Sequence, residues 1–369
     1  MIKKQHAVGW SERRAIRNRV GGVTVELTTR RTRDSVRRPQ LPMSAHWIMV
    51  DGAGDRRCYE AAGAGIVAVD AGLAAKAARR YVDRESGVTR HVNGGLLMAD
   101  SMVRVMTWNI WWRFGPRWQD RQLGIRATLE KFRPDVVALQ EVWAGDGTTQ
   151  ADELAEALQM HAVFASPSYP PAPNDPATAD WAGIDLGIAV LSRWPIISHE
   201  TAVMPARHRS WDPVALNVRV DHPSGPLTIV AACLDYGVPF TDDRIAQGAF
   251  VADLATDPRF DGACPVLLMG DLNAAVDSPV LRRARDVLID AWSAGGGSAD
   301  AVTLPSTHPS APLEAGPQMV DQRIDHIFFR PGREDQKVLV EGVHLAGEPV
   351  GGVHPSDHLA VVADLRWRG

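Results

Sequence analysis

The spacing of apolar and polar residues predicts alternating strands and helices from Val103 onward. Residues 118–132 have the pattern of an amphipathic helix, with Ile125 and Leu129 on one face, and Pro134 ends it. Short apolar runs predict buried strands over 103–110, 136–141, 187–192, 214–220 and 227–233. This alternation is typical of a layered α/β domain.

A second helix is predicted to begin at Ser278, because serine followed by proline is a common helix start. Leu281 and Ala284 are spaced to lie on its buried side. Two long segments rich in proline and glycine, 166–185 and 295–319, interrupt the pattern. Loops of this length often carry functional groups, so we expect these two to select the substrate.

Residues 1–100 differ in charge from the rest of the chain. They carry 18 Lys and Arg against 10 Asp and Glu, a formal net charge of +8, whereas the remaining residues carry 22 against 34, a charge of −12. They contain a strand-like run at 22–27 and an alanine-rich run at 61–78 with the pattern of a marginal helix. We predict a poorly ordered basic extension over 1–100 and a folded domain over 102–369. A basic arm that attracts polyanions is the functional alternative.

Charge and cysteine usage narrow the class of protein. An acidic domain argues against a broad basic surface that grips duplex DNA and gives weight to small substrates, although acidic surfaces also serve solubility alone. Cys58, Cys233 and Cys264 are isolated thiols without disulfide or metal spacing. The first ten residues lack the apolar core of a signal peptide, and no run approaches the roughly 20 apolar residues that cross a bilayer. We expect a cytoplasmic location and a monomer.

A carboxylate and an amide stand together in Gly270-Asp271-Leu272-Asn273, directly after the apolar run 265–269. In an extended chain, residues two apart share a face, so we expect Asp271 and Asn273 to point into one cleft. The carboxylate can hold a cation or a proton, and the amide can donate to a phosphate oxygen.

Similar polar groups stand at four other strand ends. They are Asn109, Glu141, Asp325 and the adjacent pair Asp357 and His358. Taken alone, each is more commonly structural, for example a strand-end carboxylate bound to a backbone amide. Because the pattern recurs at five strand ends, we expect these side chains to meet in one site.

The ordered set of motifs resembles the endonuclease/exonuclease/phosphatase superfamily of metal-dependent phosphoesterases. The motifs are Trp-Asn at 108–109, Leu-Gln-Glu-Val at 139–142, Leu-Ser-Arg-Trp-Pro-Ile at 191–196, Gly-Asp-Leu-Asn at 270–273, Arg-Ile-Asp-His-Ile at 323–327 and Ser-Asp-His at 356–358. The resemblance covers Val103 to Leu365. It implies a four-layer sandwich of two β-sheets flanked by helices, with the site where the strand ends meet.

The resemblance also implies a cofactor and its ligands. Glu141 is the expected main ligand of Mg²⁺ or Mn²⁺, with Asn109 and Asp357 beside it. Such cations prefer hard oxygen ligands and keep several waters. In some relatives an acidic residue stands two positions after the asparagine; here that position is Trp111. A second metal ligand at that position is therefore absent, and the choice between one and two metals stays open.

The remaining site residues are expected to act on the substrate. By resemblance, Asp271 orients or deprotonates the attacking water or serves the leaving group, and Asn273 holds a phosphate oxygen. His358 is the expected imidazole of the site, with Asp325 accepting its other ring proton. The substrate is a phosphate ester, with nucleic acid one candidate and a small phosphodiester or phosphomonoester such as an inositol phosphate or a phospholipid the other.

Other features fit the family pattern less well. Cys233 stands where many relatives have a histidine that contacts the phosphate, and we expect it to line the cleft, where histidine would be tolerated. This change motivates an alternative from a different class, a binding module that kept the fold and lost turnover.

Core packing is favoured over base stacking for Trp108, Trp111 and Trp112. The segment 207–209 could contact substrate phosphate, but we interpret it as a solvated charged loop.

Overall fold

The computed structural model describes residues 102–173, 178–309 and 320–368 with their side chains. Before residue 102 it describes only the strands, and of these only the backbone. The chain divides into two compact units, Met1–Leu97 and Met98–Gly369. Whether the second unit folds by itself stays a prediction.

The first unit contains two antiparallel sheets. One has the order β1-β2-β3-β4 and the other pairs β5 with β6. These strands are β1 (Arg13–Val20), β2 (Val23–Arg30), β3 (Ala45–Val50), β4 (Arg56–Ala61), β5 (Arg79–Val82) and β6 (Thr89–Val92). The strand expected at 22–27 matches β2. The alanine-rich run 62–78 and the side chains of the basic clusters lie outside the described residues, so the interpretation of this region as a poorly ordered extension is untested.

The second unit contains strands and helices in close alternation. Its strands are β7 (Ser101–Asn109), β8 (Val136–Gly145), β9 (Thr148–Thr149), β10 (His161–Ala165), β11 (Asp185–Ser192), β12 (Ile196–Val203), β13 (Val214–His222), β14 (Gly225–Cys233), β15 (Val266–Asp271), β16 (Ile289–Asp290), β17 (Asp325–Arg330), β18 (Val338–Ala346) and β19 (Ala360–Trp367). Its helices are α1 (Trp118–Phe132), α2 (Gln150–Leu158), α3 (Thr241–Ala255), α4 (Arg282–Val287) and α5 (Ala291–Ala294).

These strands form two mixed sheets packed face to face. The first has the order β10-β11-β8-β7-β19-β18, with β9 beside β8, and the second has the order β12-β13-β14-β15-β17-β16. Buried residues such as Val105 and Val190 of the first sheet share one core with Val218 and Ile229 of the second. Helices α1 and α2 cover the outer face of the first sheet, and α3 and α4 cover the second. The expected four-layer α/β sandwich is confirmed.

The topology brings the polar strand ends to one edge of the sandwich. Near the centre of each sheet lies one parallel pair, β7 with β8 and β14 with β15. Each pair is connected by a helix, α1 and α3 respectively, as a parallel pair requires. The two pairs end on the same side, since Asn109 at the end of β7 is hydrogen-bonded to Asp271 at the end of β15. Strands β17 and β19 run antiparallel to their neighbours, so their first residues begin at this same edge.

The helix boundaries follow from the sequence. Helix α1 occupies the predicted span, with Ile125 and Leu129 buried on its inner face. The Ser278 hydroxyl accepts a hydrogen bond from the Val280 N–H, so the second predicted helix begins where expected, although its first turn is a 3₁₀ turn. Among the described residues, no helix is long and apolar enough to cross a membrane.

Candidate active site

Glu141 enters the site because strand β8 bulges at that point. Gln140 and Glu141 both lie opposite Ile188, between the pairs Leu139 with Ala189 and Val142 with Gly187. Glu141 has φ of 53°, in the left-handed region. Bulges redirect a side chain without ending a strand, and they are frequent beside active sites. The expectation that the strand ends at Glu141 was wrong, since it continues to Gly145.

Asn109, the last residue of β7, joins the two halves of the site. Its amide Nδ2 donates to Glu141 Oε1 at 2.8 Å and to Asp271 Oδ2 at 3.1 Å. Its amide oxygen accepts the Trp111 N–H at 2.9 Å. In this arrangement the oxygen that would bind a cation is already engaged. Asn109 therefore acts here as a donor that holds two carboxylates in place.

Asp271 is the last residue of β15, and the chain turns immediately after it. Its Oδ1 accepts the Asn273 N–H at 3.0 Å, while Asn273 has φ of 46°. The two residues are therefore not placed by the alternation of an extended strand, and that part of the sequence reasoning was wrong. The Asn273 side chain instead donates from Nδ2 to the Leu234 carbonyl oxygen at 2.9 Å, at the end of the neighbouring strand.

His358 and Asp325 form the expected carboxylate–imidazole pair. His358 Nδ1 lies 2.9 Å from Asp325 Oδ2, and both side chains are buried. Nε2 of the same ring lies 3.9 Å from Asp271 Oδ2, which is too long for a hydrogen bond. The second ring nitrogen is thus directed toward Asp271 without being bound to it. Asp271, Asp325 and His358 form a buried cluster whose nearest ligand atoms all lie within 4.8 Å of one another.

Asp357 is carried by the loop before β19. Ser356 Oγ donates to the Asn109 carbonyl oxygen at 2.7 Å and accepts the His358 N–H at 3.1 Å, which fixes the loop against β7. The Trp108 indole N–H donates to the His358 carbonyl oxygen at 3.0 Å. These bonds fix Asp357 where its charge interacts with that of Glu141, and His358 where its charge interacts with that of Asp271.

Burial gives the carboxylates of the site unusual acidities. It raises the pKa of Glu141 to about 8, with the Asp357 charge adding to the effect. Burial together with the Asp325 charge raises the pKa of Asp271 to about 7. Burial opposes the charge on His358, but Asp325 and Asp271 outweigh it, so the His358 pKa lies well above its usual value. The site therefore has an excess of negative charge that a bound cation would relieve.

A buried arginine, Arg121 of α1, was missed by sequence reasoning. Its two terminal nitrogens donate to the carbonyl oxygens of Ile110, Trp111, Trp112, Phe114 and Pro355. It thus fixes the segment after Asn109 and the segment before Asp357 together. The available signal was a charged residue four positions before Ile125, on the apolar face of its helix.

Cys233 does not line an open cleft. It is 1% exposed, belongs to the core between the sheets, and donates from Sγ to the Tyr169 carbonyl oxygen at 3.3 Å. It lies beside Asp271 in the parallel register of β14 and β15. The expectation that Cys233 lines the cleft was wrong, because its side chain is packed in the core next to the site. This packing argues against a histidine at the position.

The tryptophans and the arginine near the site differ from their predictions in how far they are buried. Trp108 and Trp112 are fully buried, as core packing predicts, whereas Trp111 is only partly buried and packs edge-on against His308 at 5.8 Å. Arg209 is not a solvated residue of a charged loop. It forms a bidentate ion pair with fully buried Asp235 at 2.8 and 2.6 Å, and its guanidinium is packed among four aromatic rings.

Comparison with known proteins agrees with this geometry. The model of the endonuclease/exonuclease/phosphatase family matches residues 106–358, which is more than half of the chain. The chain belongs to the endonuclease/exonuclease/phosphatase family. Members of this family are generally metal-dependent phosphoesterases. No curated protein matches the sequence.

Several solved structures resemble this chain in fold. An endonuclease/exonuclease/phosphatase protein from Beutenbergia cavernae is 28% identical, covers 73% of this chain and 72% of its own, and has a TM-score of 0.53. TDP2 from D. rerio, solved with a single-strand DNA product, is 19% identical, with 72% and 99% covered and a TM-score of 0.55. The human Nocturnin catalytic domain, solved with a bound sulfate anion, is 20% identical, with 73% and 97% covered and a TM-score of 0.53. The last two share the fold.

The donor set suits the divalent cation typical of the endonuclease/exonuclease/phosphatase family. Glu141 Oε2 is buried and has no hydrogen-bond partner among the described residues, although its carboxylate is fixed by Asn109. A buried, unpaired carboxylate oxygen is costly unless it binds a cation or a proton. The cluster of Asp271, Asp325 and His358 is a second possible metal site. In that cluster His358 Nδ1 is already occupied by Asp325.

Proposed function

We propose that the chain is a Mg²⁺- or Mn²⁺-dependent phosphoesterase in which water attacks phosphorus and no covalent enzyme intermediate forms. The observation that carries the proposal is the orphaned Glu141 Oε2 beside Asp357, next to the separate cluster around His358. Glu141 and Asp357 would hold the cation, with Asn109 orienting Glu141. The cation would supply Lewis-acid stabilisation of charge that develops on the phosphoryl oxygens.

Asp271 would orient the attacking water and accept its proton. Its pKa of about 7 suits proton transfer near neutral pH, because a base works best when its pKa lies near the working pH. Burial and the Asp325 charge are the causes of that value. The Asn109 amide holds Asp271 Oδ2 at 3.1 Å, which limits the directions in which the carboxylate can face.

His358 would neutralise charge on the phosphoryl group. Asp325 holds Nδ1 and keeps the ring protonated, so Nε2 carries a proton that it can donate. Among the described residues Nε2 has only the distant Asp271 carboxylate beside it, at 3.9 Å. Asn273 would provide a further donor to a phosphate oxygen, since its amide nitrogen carries two N–H groups and Leu234 takes one.

The substrate is a phosphate ester, and two observations favour different classes. A nucleic acid is supported by Trp111 beside Asn109, which is only partly buried although the Arg121 guanidinium lies 4.6 Å from its ring centre. It is also supported by the DNA product in the related D. rerio TDP2 structure. A small phosphodiester or phosphomonoester is supported by the formal charge of −12 on residues 101–369. We favour nuclease activity with a short single strand, because such a substrate needs few contacts with a basic surface.

A substrate panel tests the proposal. The full chain would be assayed with Mg²⁺ on single-stranded DNA, RNA, plasmid DNA, an abasic duplex, a phosphodiester dye, inositol polyphosphates and sphingomyelin. We expect hydrolysis that excess chelator abolishes and that Mn²⁺ restores. Turnover that continues in chelator would contradict the metal mechanism. Binding of these compounds without turnover at any metal concentration would instead support the binding module.

We also propose that the protein is a cytoplasmic monomer. The buried thiols of Cys233 and Cys264 are unpaired, which suits a reducing compartment. Light scattering during size-exclusion chromatography measures the mass of the assembly, and a value twice that of the chain would contradict the monomer. Recovery of the native protein outside the cytoplasm after cell fractionation would contradict the location.

A further inference from the structure

Each of the two crossover helices places an arginine at its fourth residue, on the buried side. Arg121 is the fourth residue of α1, and Arg244 is the fourth residue of α3. The two side chains are 1% and 5% exposed. Both helices begin after a strand that ends at the site, so both arginines lie near the edge where the functional residues meet.

The two arginines differ in how far their terminal nitrogens are bonded, although the Nε of each is buried without a partner. Both terminal nitrogens of Arg121 are engaged by carbonyl oxygens, which accounts for the burial of its guanidinium. Arg244 donates from Nη1 to the Asp235 carbonyl oxygen at 3.2 Å. No hydrogen bond from its Nη2 and no ion pair with a carboxylate is found among the described residues. A buried guanidinium with so few bonded donors is costly, so local structure alone does not account for Arg244.

Arg244 lies beside the residues proposed to handle phosphate. Leu234 donates its N–H to the Asp271 carbonyl oxygen at 3.0 Å, and its own carbonyl oxygen accepts from Asn273 Nδ2. The next carbonyl, that of Asp235, accepts from Arg244. Asn273 and Arg244 therefore bind consecutive carbonyl groups of one short segment. Arg244 also lies close enough to Asp271 for the two charges to interact.

Helix stability does not explain a cation at this position. Helix α3 begins at Thr241, so Arg244 lies in the first turns, where the helix dipole disfavours positive charge. The same dipole and the guanidinium both favour a nearby anion. Cys233, which stands where many relatives have an imidazole, donates its S–H to the Tyr169 carbonyl oxygen and so offers no donor to a phosphate. A cation on this side of the site is thus provided by α3.

We propose that Arg244 is a substrate-binding residue that donates to a nonbridging oxygen of the scissile phosphoryl group, beside Asn273. The inference rests on the proposed phosphoesterase function and adds a residue to it. A charge-assisted hydrogen bond of this kind is worth about tenfold to hundredfold in affinity. Arg121, at the same helical position, has a structural role because carbonyl groups occupy its terminal nitrogens.

Calorimetric titration of the full chain with inorganic phosphate in the presence of Mg²⁺ tests this assignment. The variants are Arg244→Gln and Arg244→Lys, with Arg283→Gln as control, because Arg283 is an exposed arginine of α4 that pairs with Asp253 of α3. We expect Arg244→Gln to weaken phosphate binding about tenfold or more and to leave Mg²⁺ affinity and the melting temperature near those of the control. Arg244→Lys keeps the charge and should fall between the two.

Three outcomes would overturn the assignment. Unchanged phosphate affinity in Arg244→Gln would show that the arginine does not contact the anion. Equal losses of phosphate affinity, Mg²⁺ affinity and melting temperature would assign it a structural role, and so would unfolding of both Arg244 variants. Since binding is measured without turnover, a chain that hydrolyses no ester would refute the proposed function while this titration still decides the role of Arg244.

Discussion

Replacing Glu141 by glutamine should stabilise the metal-free protein at alkaline pH. Glu141 is buried, its Oε2 has no partner among the described residues, and Asp357 raises the cost of its charge. Glutamine keeps the acceptor that Asn109 uses at Oε1. Its amide nitrogen would replace the orphaned oxygen and could donate to Asp357. The substitution therefore removes a buried charge and keeps the shape of the side chain.

The magnitude follows from the pKa of Glu141, which the fold raises from 4.5 to about 8. Between these pH values the folded state holds a proton that the unfolded chain has lost, so stability falls as pH rises from 4.5 to 8. One pKa unit corresponds to about 1.4 kcal/mol, which sets an upper limit of about 5 kcal/mol for the penalty at pH 8 and above. Relaxation of the site and titration of Asp357 reduce it, and we expect about 1 to 3 kcal/mol.

Thermal unfolding in chelator at pH 4.5 and pH 8.5 measures this effect. An effect of that size raises the melting temperature by roughly 2 to 10 °C in a domain of this length. We expect this rise for Glu141→Gln at pH 8.5 and little change at pH 4.5. Glu130→Gln, an exposed glutamate of α1 paired with Arg126, is the control and should shift the melting temperature little at either pH. A Glu141→Gln variant that is less stable than the wild type at pH 8.5 would refute the reasoning.

Three further predictions concern turnover and domain structure. Asp271→Asn and His358→Ala should each lower kcat about a hundredfold or more, the usual effect of losing an acid–base or electrostatic group, and near-normal kcat in both would show that the site is misplaced. Cys233→His should lower the free energy of unfolding by about 1 to 3 kcal/mol, because a larger polar ring must enter the core. Melting temperature and turnover should both fall, and an unchanged melting temperature would contradict the packing. A chain beginning at Met98 should fold and keep its activity, and an insoluble or inactive product would show that residues 1–97 belong to the domain. Loss of polynucleotide cleavage alone, strongest at low salt, would instead identify the extension as an electrostatic tether.

Much of the fold could be predicted from local patterns. The bounds of α1 follow from its apolar face and from the proline after it, and the central strands follow from continuous apolar runs. The meeting of Asn109, Asp325 and His358 follows from family order, which the topology of two parallel pairs explains. These features depend on local residue patterns or on the order of family motifs. Both can be recognised in a single sequence.

Other features of the site depend on contacts that a sequence does not display. The bulge at Glu141 is set by pairing with β11, and the turn at Asn273 by hydrogen bonds to Asp271 and Leu234. In both places a prediction that assumed a regular strand was wrong. The burial of Arg244 could not be predicted from the sequence, because helix α3 was not predicted and its buried face also includes Asp243 and Gln247. Its unsatisfied donors are visible only once the neighbouring carbonyl groups are in place.

In the proposed site, Glu141 and Asp357 hold the cation, whereas other residues, among them His358, act on the phosphoryl group. Mn²⁺ binding, followed by electron paramagnetic resonance in the wild type, Glu141→Gln and His358→Ala, tests that separation directly. We expect Glu141→Gln to weaken Mn²⁺ binding about tenfold or more and His358→Ala to retain the wild-type affinity. The reverse result, with affinity lost in His358→Ala and kept in Glu141→Gln, would place the cation in the cluster of Asp271, Asp325 and His358 and contradict the account.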